Sequence, residues 1–359
     1  RNLHRSLLHG CVLGQLSPVL FDLPFDPATG LWIPPDAAHL ERVLQAAGEL
    51  AAVVLVNPTY QGLAADLRPL VELVHRRGLP LLVDEAHGAH FGLDPLLPPG
   101  ALASGADLVV QSLQKAAGGL AQSAVLLLGT GASGRVDPAA VERALLWLQT
   151  SSPSALLLAS CEAALTHLHG PVGRRRLHGA LELGRALSEA LRAQGLPVLA
   201  NDDPLRLVLN TAALGINGLD ADRWLLERGV IAELPEPGSL TFCLGLRPPH
   251  RLIPRLGKHL KRLERELGGT PLAAFSAPPL PLVAEPELAP ALAWRARAEA
   301  VPLERAAGRL AAEPLCPYPP GIPLLIPGER IDAARADWLR CQRALWPGQI
   351  ADTVSVLAD

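Results

Sequence analysis

The stretch that decides the fold runs from Leu79 to Gln122, LPLLVDEAHGAHFG…ASGADLVVQSLQKAAGGLAQ. It opens on the apolar run LPLLV at 79–83, too short for a helix and rich in strand formers, so it reads as a buried strand. Asp84 falls where that strand ends. A second buried run, LVV at 108–110, leads through QSLQ at 111–114 to Lys115. In open parallel α/β sheets, ligands sit beyond the carboxyl ends of the strands. Two successive strands therefore deliver an acid and an amine to the same rim.

Lysine usage sharpens this reading. Of 32 basic residues only Lys115, Lys258 and Lys261 are lysines. The latter two lie in the arginine-rich helical stretch RLIPRLGKHLKRLERE, where an ammonium is simply solvated. Arginine cannot replace a residue that must lose its proton and form an imine, whereas lysine can. The competing reading of Lys115 is a strand-end lysine pointing into water. Asp84 tips the balance, because pyridoxal phosphate (PLP) needs this pair: a lysine for the covalent link and a carboxylate that keeps the ring nitrogen protonated, so that the ring accepts electrons.

DEAHGAHF at 84–91, QSLQK at 111–115, CPYPPGIP at 316–323 and PGE at 327–329 together resemble the ornithine/lysine/arginine decarboxylases, from Arg1 to about Glu329 and in that family's order. The resemblance implies a PLP enzyme of the aspartate-aminotransferase fold. It implies that RNLHRS at 1–6 carries a ring-stacking histidine at His4, whose local alternative is a capping or surface histidine. It sets Ala86 against the ring, His87 close to the reacting nitrogen, and Ser112 as a donor to the phosphate. Gln114 departs from the family, which commonly has histidine there; glutamine donates a hydrogen bond but cannot become a cation. AAGG at 116–119 is also unusual. TSSPS at 150–154 resembles a segment that reaches the other subunit's phosphate, which makes Ser152 a cofactor-binding candidate and a homodimer the expected assembly. By itself it is a hydroxyl-rich helix start, with Ser152 or Ser154 as cap. The family's small-residue phosphate loop is absent ahead of Arg1, so an N-terminal segment is expected to be missing.

The 359 residues suggest two or three domains. The reading is α/β: a mostly parallel, PLP-dependent transferase-like large domain over 1–170, a smaller α/β domain over 171–270, and a helical, proline-rich C-terminal domain over 271–359. Within the first, helices are expected at 7–16, 36–50 with Asp36 as N-cap, and 63–77 with Gly78 just past its end, alternating with strands at 51–56, 79–83, 108–110 and 123–128. Such alternation implies a sheet covered on both faces. Helices follow at 138–149, 155–168 and 174–194. The small domain is expected to hold strands at 205–209, 230–234 and 240–246 and helices at 220–228 and 250–267. Residues 268–290 read as a linker, and 295–311 and 331–345 as helices. The prolines of 314–323 predict a stiff extended segment near the substrate entrance, a polyproline docking ligand being the rival reading.

Thr59 and Tyr60, in the turn NPTYQG at 57–62, are wall candidates, a packed turn being the alternative. His87 and His90 beside Asp84 raise a metal site, but a lone short cluster does not make one, and none is expected. His90 reads as structural. Glu233, Glu313 and Glu329 are possible partners for a substrate's distal cation. Five scattered cysteines without CxxC spacing point to a reducing compartment, with the cytosol as default. A net charge of −3 leaves no footprint for nucleic acid, and no apolar run reaches the length of a membrane span. The expected reaction is decarboxylation of arginine, lysine or ornithine to the amine and CO2. An aminotransferase or aldolase of the same fold, or a decayed homologue suggested by Gln114, is the alternative.

Overall fold

The computed structural model describes residues 1–132, 134–316, 322–346 and 348–358. Its main sheet has the order Val53–Val56, Leu81–Asp84, Leu108–Ser112, Ala124–Leu128. The first three strands are parallel, Val56 pairing with Asp84 and Asp84 with Val110, while the fourth returns antiparallel to the third. Parallel pairing brings the ends of the first three strands to one rim, which places Asp84 and the chain just after Ser112 side by side.

Local chemistry explains the supporting helices. Asp36 caps Ala37–Ala46 by accepting from His39 N at 2.7 Å. Leu67–His75 is closed by Gly78 at φ 72°, with Gly78 N bonding His75 O and Leu79 N bonding Val74 O. Both helices bury leucines and valines (Leu40, Leu44, Leu70, Val74) against Leu81, Val83 and Val109 of the sheet. This cluster lies on one face only. The expected double coverage is not seen: Val54, Val56, Leu82 and Leu108 are half-buried, and Val110 is 43% exposed. The connection from Asp84 to Leu108 makes turns instead of a helix, so nothing is supplied for that face there.

Beyond the long helix Pro171–Ala193 lies a second sheet, antiparallel, ordered Arg206–Asn210, Ser239–Cys243, Leu234–Glu236. The helices Gly218–Leu226 and Leu252–Leu267 cover it through Leu225, Leu260 and Leu263. The strand expected at 230–234 begins only at Leu234. Hydrogen bonds stitch this unit to the rim of the first: Asp202 N and Asp203 N donate to Gly62 O, and the Asn201 side-chain Nδ2 donates to Gln61 O at 2.9 Å.

The C-terminal part departs most from expectation. Instead of a helix over 295–311 there is a strand, Ala298–Pro302, paired antiparallel with Thr353–Leu357. Its Ala and Arg content favours helix locally, but pairing with a strand some fifty residues on overrides that preference. The presumed linker also contributes a strand, Val283–Ala284, paired with Leu20–Phe21. The helix Ala333–Gln342 forms as expected, capped by Asp332. No helix among the described residues is long and apolar enough to cross a membrane.

Candidate active site

Leu113, fully buried, anchors a single helical turn, Leu113–Ala116, directly after the third strand. That turn aims Lys115 back along the rim, where its Nζ lies 3.0 Å from His87 Nε2. Partial desolvation lowers the Lys115 pKa; Asp84 and Glu233 oppose the shift and Arg206 adds to it. Burial, together with the charges of Lys115 and Arg206, pushes His87 down to about 2. A neutral imidazole therefore faces the amine. Its Nδ1 is buried without a hydrogen-bond partner among the described residues. Asp84 spends one oxygen on Ala86 N at 3.0 Å, and its other oxygen makes no hydrogen bond among the described residues.

A second group closes over this pair. The Tyr60 ring packs on His87 with centroids 4.2 Å apart, and the Tyr60 hydroxyl donates to Glu233 Oε1 at 2.5 Å. Thr59 instead serves its own turn, its hydroxyl accepting from Leu63 N. His90 is fully buried with Nε2 3.2 Å from Asp203 Oδ2, a structural contact between the rim and the second unit. On the side of that unit Lys115 opens onto a cavity of about 590 Å³, lined also by Gln114, Ser160, Arg206 and Arg247.

The remaining sequence candidates scatter. His4 caps the helix Arg5–Gly14, its Nδ1 accepting from Ser6 N, which matches the local alternative; it nonetheless feels the charges of both Asp84 and Lys115. Ser112 sits half-buried at the N-cap of the lysine turn without a side-chain cap bond. Gln114 accepts from Gln122 N. Ser152 is exposed between two helices, and Ser154 is the residue that caps the second. Glu329 is not free to meet a substrate: it is buried and held by Arg1, at 2.9 Å from Nη1, and by Arg335. Glu313 is exposed. Of CPYPPGIP, residues 317–321 lie outside the described residues, as does the conformation expected for them. No trio of metal-ligating side chains gathers among the described residues.

The family model described as Orn/Lys/Arg decarboxylase, major domain, matches residues 1–200, and the corresponding C-terminal domain model matches 272–348. The chain belongs to the Orn/Lys/Arg decarboxylase family. The arginine decarboxylase of Halalkalibacterium halodurans is 33% identical over 95% of this chain and 71% of its own length. The arginine decarboxylase of Bacillus subtilis is 31% identical over 92% and 69%. Among solved structures, lysine decarboxylase A from Pseudomonas aeruginosa superposes on the whole chain with a TM-score of 0.80 at 20% identity. That likeness speaks for the fold, and the chain spans only 65% of that structure's length.

This decarboxylase family is one of PLP enzymes, and the residues present fit that group. Lys115 offers the amine, and among the described residues one carboxylate oxygen of Asp84, the buried His87 Nδ1 and the buried Arg206 Nε make no hydrogen bond. The cavity beside Lys115 has the size of a small-molecule site. Sequence reasoning missed Arg206. Its one available signal was a charged residue opening the otherwise apolar run RLVL at 206–209, a pattern that also suits an edge strand.

Proposed function

We propose that this family member is a PLP-dependent decarboxylase of a basic amino acid, working as a homodimer. The reading is carried by one observation: the amine of Lys115, partly desolvated, stands 3.0 Å from a neutral imidazole and within the field of Asp84. Bound PLP would supply an electron sink for the pair released when the bond from Cα to the carboxylate breaks and CO2 departs. Lys115 would hold it and Asp84 would face its ring nitrogen, with His4 and Ala86 beside it and Ser112, Gln114 and the partner-reaching Ser152 segment toward its phosphate. The lowered pKa raises the unprotonated fraction of Lys115 near neutrality. His87 Nε2, held neutral, accepts a hydrogen bond from Nζ and orients the amine, so Lys115 returns the proton to Cα. Tyr60 limits water access by packing on His87, and Glu233, exposed and tied to Tyr60, suits the substrate's distal cation.

Arginine is the first substrate to test, because two relatives, at 33% and 31% identity, are named arginine decarboxylases. A homodimer is supported by the helices Pro138–Leu148 and Ala155–His169, which leave Leu146, Trp147 and Leu156 at least 70% exposed. Arg206 gives the aminotransferase alternative a specific foothold, since such enzymes hold the substrate carboxylate with an arginine. Incubating the full-length protein with PLP and arginine, lysine or ornithine separately decides between them. CO2 and the matching amine in equal amounts support decarboxylation; a keto acid without CO2 contradicts it.

A further inference from the structure

Glu329 sits in a socket fixed by its own part of the chain. Gly328 before it stands at φ 86°, where a Cβ would collide with Leu288 O, and Gly328 N donates to Ala311 O at 2.8 Å. Ala311 N donates in turn to Glu329 O at 2.8 Å. The Glu329 carboxylate, 3% exposed, accepts from Ile326 N at 2.9 Å and meets Arg335 Nη1 at 3.4 Å. Arg335 is itself held by Asp332 at 2.6 Å. Into this socket Arg1, from the other end of the sequence, brings its guanidinium. Nη1 donates to Glu329 Oε2 at 2.9 Å and Nη2 to Oε1 at 2.5 Å, the two-point fit of guanidinium and carboxylate. Nη1 also donates to Leu324 O at 3.2 Å.

Only three residues separate Arg1 from His4, and the same region grips that short segment again. Leu8 and Leu20 are buried against Ile326, with Leu3 packed on the cluster. Arg1 N donates to Phe21 O at 2.7 Å. His4 then opens the helix Arg5–Gly14, close enough to the main rim to feel the charges of Asp84 and Lys115. Among the described residues its ring hydrogen-bonds only within its own turn, to Ser6, and no hydrogen bond ties it to Asp84 or Lys115. The place of His4 is therefore set from behind. Replacing a buried ion pair by apolar side chains of similar volume is often neutral for stability, whereas a two-point pair fixes both position and orientation.

We infer that Glu329 is a positioning residue for the cofactor site: by clamping Arg1 it places the His4 ring, so the C-terminal part of the chain completes a site whose lysine and aspartate come from the main sheet. The inference rests on reading Lys115 and Asp84 as the PLP site with His4 against the ring. It is independent of which amino acid is turned over and of whether CO2 is lost. A clamp serving stability alone would weaken the fold without acting on the cofactor through His4, and the test separates the two.

The experiment measures PLP affinity of the full-length protein by absorbance titration for wild type, His4→Ala, Glu329→Gln and the double variant. Losing one aromatic stack should weaken PLP binding about 3- to 10-fold in His4→Ala. Glu329→Gln should show a loss in the same range. The double variant should lie within about twofold of His4→Ala alone, because a residue acting through His4 has nothing left to place. Hydrogen exchange in the cofactor-free protein gives a second readout. Glu329→Gln should speed exchange in the helix Arg5–Gly14 by about 10-fold or more, with the strand Arg206–Asn210 unchanged. Arg1→Lys, which keeps a charge but not the planar fork, should fall between wild type and Glu329→Gln in both measurements, and it carries the same cycle if Glu329→Gln does not fold. Losses that multiply in the double variant, unchanged PLP affinity in His4→Ala or in Glu329→Gln, or faster exchange spread equally to Arg206–Asn210 would each overturn the inference. If the coupling to His4 holds and no basic amino acid yields CO2, the decarboxylase reading fails while the positioning stands. If CO2 is released and the losses multiply, the reading stands and the positioning fails.

Discussion

The 3.0 Å contact between Lys115 Nζ and His87 Nε2 ties the protonation of each group to that of the other. His87 titrates at about 2 in the folded chain, against 6.5 for the unperturbed side chain, because burial and the neighbouring cations oppose its charge. Between those two values the unfolded state binds the extra proton and the folded state does not, so the contribution of His87 to stability falls as pH drops from about 6.5 toward 2. Glu85 and Glu236, raised by burial to about 7, contribute with the opposite sign between about 4.5 and 7. Urea denaturation across pH 4.5–7.5 isolates the histidine as a difference: wild type should lose stability relative to His87→Asn as pH falls (about 1.4 kcal/mol per pH unit is the ceiling for one proton). An unchanged slope in the variant would mean that His87 is protonated in the folded state. At this scale the sequence was readable where chemistry sits on a strand end. Asp84 ends one buried run and Lys115 follows the next, and the charge of the carboxylate is felt at the amine, because parallel register makes consecutive strand ends neighbours. Arg206 was not readable, since its burial beside the lysine cavity depends on the close approach of Gly62, a contact between distant parts of the chain.

Elements with a complete local signature were legible. The helices begun by Asp36 and Asp332 start where a carboxylate can take the free N–H groups, and Gly78 ends its helix in the left-handed region. Elements made by distant pairing were not. The strand Ala298–Pro302 exists only because Thr353–Leu357 lies beside it, and the half-covered face of the main sheet follows from a turn-rich connection that strand-helix alternation does not foresee. The helix Leu252–Leu267 shows how burial then fixes an element: Leu256, Leu260 and Leu263 share one face and pack on the second sheet. Leu260→Ala should cost about 2–5 kcal/mol, because the fully enclosed site cannot collapse around the loss. Thermal and urea unfolding measure it. A change below 1 kcal/mol, well short of that range, would mean that this helix is not held by its buried face.

At the scale of the whole molecule, the proposed homodimer explains why Leu146 and Trp147 stand 80% and 86% exposed at the end of a helix that buries no residue within its own chain. Replacing both, as Leu146→Asp with Trp147→Asp, should shift the full-length protein toward monomer in sedimentation velocity, with unchanged circular dichroism. A wild-type protein that sediments as a monomer would remove the dimer. In the proposed reaction one amine, that of Lys115, takes the cofactor. Full-length protein loaded with PLP, reduced with borohydride and digested, should carry the pyridoxyl group on the peptide containing Lys115, with Lys258 and Lys261 unmodified. Labelling at Lys258 or Lys261, or no specific labelling at all, would contradict it.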